Sequence, residues 1–156
     1  MSSLDDLYKE IILDHYRSPR NQGELAPPAH RCEGFNALCG DEIIVYVSLI
    51  DDKVEDIKIG GQGCSISQAS ASMMTEIIKG KSVTEAEEII HAFKEMMDIY
   101  ESELSGKEAE NSTSGIDLGD LEALQGVVKY PVRIKCATLA WNTLTQSIDE
   151  IQGLDN

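Results

Sequence analysis

Basic residues are scarce in this chain: 13 Lys plus Arg stand against 28 Asp plus Glu, a formal charge of -15 over 156 residues. Such a surface repels phosphate backbones and anionic leaflets, so neither nucleic acid nor a membrane is expected as a partner. Long apolar runs are missing too. No stretch approaches the roughly 18 residues of a membrane span, and Met1 to Asp6 lack the basic patch and apolar run of a secretory signal. The expected location is the cytoplasm. The chain has no Gly-x-x-x-x-Gly-Lys-Ser/Thr phosphate loop, no Gly-x-Gly-x-x-Gly turn and no Gly-x-Ser-x-Gly elbow, which leaves nucleotide-dependent and serine-hydrolase chemistry unsupported. It also lacks a Cys-x-x-Cys, which argues against a thioredoxin-like dithiol. Its four cysteines are dispersed, and a reducing compartment keeps such thiols free for metal or redox chemistry.

What the chain does have is clear periodicity. Leu4, Leu7, Tyr8, Ile11, Ile12 and His15 recur at helical spacing, with Ser3 and Asp6 as a cap pair and Ser18-Pro19 as the stop. Residues 18–31, with Pro19, Gly23, Pro27 and Pro28, read as an ordered loop. From Glu42 the period changes to two. Ile43, Val45, Val47 and Leu49 share one face, Asp51-Asp52 make a turn, and Ile57 and Ile59 align on the return strand. Arg31 to Asn36 offer a third, edge strand. Gly60-Gly61-Gln62-Gly63 is expected to break the return strand and deliver Cys64 to the start of a helix reaching about Lys79.

Ser82 with Glu85 forms a capping-box pair for a helix through Ala86, Ile90, Phe93 and Met97. The apolar pattern then stops, and residues from about 98 to 118 read as an exposed acidic insertion. Asp117 suits the cap of a short helix through Leu118, Leu121 and Leu124. Pro131 suits the first turn of a last helix striped by Ile134, Ala137, Trp141, Leu144, Ile148 and Ile151. The expected architecture is a single α+β domain over 1–156, a small antiparallel sheet of about three strands packed against several α-helices.

Three cysteines and one aspartate carry the chemical promise. Cys39-Gly40-Asp41 sits at a loop-to-strand junction, where side chains two apart in an extended stretch face one side and can converge on an ion. A soft thiolate beside a harder carboxylate is a workable zinc half-site. A buried Cys beside a turn-forming Asp is the plainer alternative. Cys64 opens a helix, where free amides and the helix dipole favour a thiolate, although the small residues that follow also suit an ordinary core helix. Cys136 lies about 110° from the centre of the last helix's apolar stripe at about 100° per residue, so it is not in the middle of the core face. Arg133 is one turn earlier, near enough to stabilise a thiolate, and Leu139 shares that flank, so a second packed surface also accounts for Cys136. Cys32 has no ligand-like neighbours. His15, His30 and His91 read as structural or solvated.

Residues 7–21 (LYKEIILDHYRSPRN), Cys39-Gly40-Asp41, residues 61–74 (GQGCSISQASASMM) and residues 133–141 (RIKCATLAW) together resemble the IscU/NifU N-terminal family of iron-sulfur scaffold proteins over nearly the whole chain. Within it the chain looks most like the SufU branch of zinc-dependent sulfurtransferases. The segment after residue 98 resembles that branch's insertion, and the scaffold's His before its last Cys is here Lys135, which has no lone pair to offer while protonated. The scaffold's Leu-Pro-Pro-Val-Lys chaperone segment is absent, with Tyr130-Pro131-Val132-Arg133 standing nearby. The resemblance implies an IscU-like fold and zinc held by Cys39, Asp41, Cys64 and Cys136. It also implies a SufS-type PLP-dependent cysteine desulfurase as sulfur donor, whose histidine replaces Cys39 on the metal, and downstream iron-sulfur assembly proteins as recipients. Cys39 would be the sulfur acceptor and Arg133 its electrostatic support. The alternative is a scaffold that assembles an iron-sulfur cluster on the same residues and passes it to apo-proteins.

Overall fold

The computed structural model describes residues 3–37, 39–104 and 118–154. Helix α1 (Ser3–Arg17) leads through a loop to strands β1 (His30–Asn36), β2 (Asp41–Ile50) and β3 (Lys53–Gln62), then to α2 (Ser65–Ile78), α3 (Val83–Leu104), a 3-10 segment (Gly119–Lys129) and α4 (Pro131–Leu154). The strands form one antiparallel sheet in the order β1-β2-β3. The third strand is therefore real, and it pairs with β2 from His30 opposite Val47 to Asn36 opposite Asp41.

The period-two pattern does what it predicts. Ile43, Val45 and Val47 on β2 and Ile57 and Ile59 on β3 are buried on one face. Asp51 and Asp52 both have positive φ, 52° and 60°, the left-handed pair that matches a two-residue hairpin to the strand twist. The glycine run does not end β3 where the sequence suggests. Pairing continues through Gly60 opposite Ile44 and Gly61 opposite Ile43 to Gln62 opposite Glu42. Gly61 holds φ +100°, and a Cβ there would strike the Glu42 carbonyl, so glycine lets the two backbones stay paired.

Trp141 of α4 and Phe93 of α3 stack at the centre of the core, ring centroids 4.4 Å apart and 16° from parallel. The Trp141 indole N–H donates to Ser70 Oγ at 3.0 Å, and Ser70 in turn donates to the Ala137 carbonyl, so the small buried face of α2 is fastened to α4 by satisfied polar groups. The capping box forms reciprocally: Glu85 N–H donates to Ser82 Oγ and Ser82 N–H to Glu85 Oε1, each at 3.1 Å.

Two expectations need adjustment. Helix α3 continues to Leu104, past the point where its apolar stripe ends, because a helix already nucleated can propagate through a polar stretch. The rest of the expected insertion, 105–117, and the Asp117 cap lie outside the described residues, as does the side chain of Ser3. The short helix after it is wound as 3-10. Leu118, Leu121, Leu124 and Val127 are buried at a strict spacing of three, and three residues per turn stacks them in one row against the core.

Candidate functional site

Asn36 ends β1 directly opposite Asp41, which begins β2, so the turn between them sets Cys39 over the open end of the sheet. The sequence suggested that Cys39 and Asp41 converge along an extended stretch. They converge across a bend instead, with Gly40 at φ +69°. Cys136, in the second turn of α4, is buried and completes the meeting: Cys39 Sγ, an Asp41 carboxylate oxygen and Cys136 Sγ all lie within 4.8 Å of one another. The two sulfurs are 3.2 Å apart.

Cys64 reaches the same point from α2. It is the N-cap of that helix, its sulfur accepting from the Ser67 amide at 3.4 Å, while its own N–H donates to Asp41 Oδ1 at 2.9 Å and its Sγ lies 4.0 Å from Asp41 Oδ2. Gly63 makes this approach possible. A Cβ at that position would stand 2.6 Å from Asp41 Oδ1, so any other residue pushes the carboxylate or the helix mouth away. Of the four residues named from the sequence, half-buried Cys39 and buried Asp41 and Cys136 bring their donors within 4.8 Å of one another, and half-buried Cys64 stands against Asp41 just outside that group.

The electrostatics of that place are those of a site short of positive charge. Burial pushes the Cys136 thiol up, and hydrogen bonds with Asp41, Cys39 and Cys64 push it further, so its proton is trapped among acceptors. For Asp41 burial also acts upward, but the Cys64 amide, with hydrogen bonds from Cys136, Asn36 and Cys64, outweighs it and keeps the carboxyl below its ordinary value. A divalent cation reverses this logic by taking up the thiol protons' place. Arg133 is exposed at the edge, and its pKa is raised by a hydrogen bond with Cys136 and by the charges of Cys64, Cys136 and Cys39. Lys135 is exposed beside them.

Asn36 was not singled out from the sequence. It is buried, and its Nδ2 donates to Asp41 Oδ2 at 3.3 Å and to Cys136 Sγ at 3.6 Å. The available signal was period two, since Cys32, Gly34 and Asn36 form the inward row of β1 and only the last of them reaches the thiols. Cys32 is buried and forms no disulfide, but its thiol has Ser147 and Glu150 beside it, neighbours that its own segment does not show. His30 pairs with Glu150 at 2.7 Å and His91 lies 3.6 Å from Glu95. His15 is buried, with Ser72, Asp120 and Glu76 around it.

Residues 7–137 match the model of the NifU-like N terminal domain. The chain belongs to that family. The matched span contains Cys39, Asp41, Cys64 and Cys136 and all three strands. Among curated members, the chain is 47% identical over 97% of its length, and 96% of the relative's, to the zinc-dependent sulfurtransferase SufU of Bacillus subtilis. It is 39% identical to the iron-sulfur cluster assembly scaffold protein IscU of Streptococcus pyogenes, over 95% of this chain and 86% of that one. The fold is shared with the crystal structure of the N-terminal part of a nitrogen-fixing NifU-like protein from Brucella abortus, at TM-score 0.76 and 25% identity over 97% and 99% of the two chains. The family's α+β fold is the one expected from the sequence, and no helix among the described residues is long and apolar enough to cross a membrane.

Proposed function

We propose that this protein is a zinc-dependent sulfurtransferase of iron-sulfur cluster assembly, taking persulfide sulfur from a SufS-type PLP-dependent cysteine desulfurase and relaying it to downstream assembly proteins in the cytoplasm. The observation that carries the proposal is a half-exposed Cys39 converging with a buried Asp41 and a buried Cys136, with Cys64 against the same carboxylate. A relative of nearly equal length that bears the name of this activity supports it.

The donors fit zinc. Three thiols and one carboxylate are four donors of the number and kind that zinc takes, and three of them, from Cys39, Asp41 and Cys136, already stand within 4.8 Å of one another. Cys39, Asp41, Cys64 and Cys136 would hold it, and bound zinc supplies a redox-inert charge that keeps the thiols deprotonated at neutral pH. The chain's own residues divide the remaining work. Cys136, Asp41 and Cys64 are fixed by Asn36, by one another and by the mouth of α2, so they anchor. Cys39 sits on a bend beside an exposed surface, so it is the thiol that can meet a partner.

In the transfer step the Cys39 thiolate attacks the terminal sulfur of the donor persulfide. A new S–S bond forms at Cys39 as the donor's S–S bond breaks, the bonding pair leaves with the donor cysteine as its thiolate, and the transferred sulfur keeps its proton. The exposed Arg133 guanidinium, hydrogen-bonded with Cys136, supports the negative sulfur during this exchange.

Adding the protein to a cysteine desulfurase should raise desulfurase turnover several-fold, and Cys39→Ala should abolish the rise. An unchanged turnover with the wild-type chain overturns the proposal. The second reading, a scaffold that builds an iron-sulfur cluster on these residues, is favoured by the relatives named IscU. Lys135, which supplies no lone pair next to Cys136, counts against it. Anaerobic reconstitution followed by transfer to an apo-ferredoxin separates the two.

A further inference from the structure

A second group of metal-ligating side chains lies toward the C-terminal end of α2, away from Cys64 at its N-cap, and is formed by His15, Glu76 and Asp120, with one donor atom of each within 4.8 Å of the others. It joins three elements far apart in sequence: α1, α2 and the 3-10 segment. His15 is 1% exposed, and its Nδ1 is 2.8 Å from Ser72 Oγ, which also accepts from the Arg20 amide at 2.9 Å. That contact fixes the ring and aims Nε2 outward. Nε2 then lies 3.1 Å from Asp120 Oδ2 and 3.6 Å from Glu76 Oε1.

Nε2 and Asp120 are hydrogen-bonded in the metal-free protein, and the same separations suit ligands on one ion once a cation takes the place of the shared proton. Metal–donor bonds of about 2.1 Å in a tetrahedron place neighbouring donors about 3.4 Å apart. In the tautomer that donates Nδ1–H to Ser72 Oγ, the Nε2 lone pair is free for a cation, and a second contact of this kind orients the ring of a ligating histidine. The two carboxylates are half exposed, and a cleft of about 270 Å³ opens beside Glu76, Asp120 and Leu118, leaving room for water to complete a coordination shell. Arg20 competes little for these carboxylates. Arg20 holds Asp14 at 2.6 Å through NH2, and only its Nε approaches Glu76, at 3.9 Å.

We propose that His15, Glu76 and Asp120 form a binding site for a divalent transition cation of the Mn²⁺, Fe²⁺ or Zn²⁺ class, separate from the thiol cluster. One imidazole nitrogen with two carboxylate oxygens is a harder donor set than three thiols and a carboxylate, so the two sites differ in selectivity. Binding here ties the 3-10 segment to α1 and α2.

Mn²⁺ is the discriminating probe, because it prefers oxygen and nitrogen donors to thiolates. Full-length protein carrying one equivalent of zinc is titrated with MnCl2, and free Mn²⁺ is read by electron paramagnetic resonance. One bound equivalent is expected. The Glu76→Gln/Asp120→Asn double variant, which changes only exposed carboxylates, should lose at least about tenfold in affinity. A control with Glu87→Gln and Glu88→Gln on exposed α3 positions should bind as wild type does. No bound Mn²⁺, or equal loss in the double variant and the α3 control, overturns the proposal and leaves only diffuse attraction to an acidic surface.

Discussion

Asn36 gives one amide nitrogen to both the Asp41 carboxylate and the Cys136 sulfur, and so holds two of the proposed zinc ligands without being one itself. A residue in that position tunes affinity through ligand orientation. Asn36→Ala should weaken zinc binding by about 10–100-fold, because outer partners of metal ligands carry effects of that size. Chelator competition measures it, and the far-UV spectrum of the variant should match wild type. Equal affinity in the variant would show that Asp41 and Cys136 are positioned by the backbone alone. The same scale explains why the four site residues are not equivalent: Asp41 and Cys136 are buried, whereas Cys39 stands half-buried on a bend whose glycine has open space around it.

Helix α3 begins with the reciprocal Ser82/Glu85 box, and this element carries a pH dependence whose sign follows from its hydrogen bonds. Glu85 is held below the ordinary carboxylate range, first by the Ser82 amide and then by the Ser82 side chain. A carboxylate with a lowered folded pKa contributes stability that is fully present above its unfolded pKa and is lost as pH falls through the folded value. Glu85→Gln should therefore flatten that part of the acid limb of the unfolding profile, while Ser82→Ala should cost about 1 kcal/mol at neutral pH. Urea titrations at stepped pH read both. An acid limb unchanged in Glu85→Gln would mean that the box forms equally well in the unfolded chain.

For the molecule as a whole, the core and the thiol cluster are separable. Cys39, Asp41, Cys64 and Cys136 lie outside the hydrophobic core, which runs from the sheet face through Phe93 and Trp141 to the buried row of the 3-10 segment. Chelation should leave the metal-free protein folded, with its helical signal retained and a lower Tm. At free zinc about a thousand times Kd the bound form gains about 4 kcal/mol. Loss of the helical signal on chelation would instead make the metal a structural element of the fold.

Local rules were enough for much of this protein. Alternation along Ile43–Val47 and from Ile57 to Ile59, the Asp51-Asp52 turn, the capping box and Pro131 each encode their element within a few residues, whereas the register shift that brings Val54 to the same buried face opposite Leu49 is not in the period. Cys39, Asp41, Cys64 and Cys136 could be named because their residue types and local settings suit thiolate chemistry. Their convergence could not be read from spacing, since Cys136 is 97 residues from Cys39 and meets it only when α4 packs across β1. Asn36 and the His15, Glu76 and Asp120 group escaped for the same reason. Each is an ordinary residue in its own segment, and only tertiary packing, which brings the end of β1 and the starts of α2 and α4 together at one place and α1, the end of α2 and the 3-10 segment at another, gives it neighbours worth having.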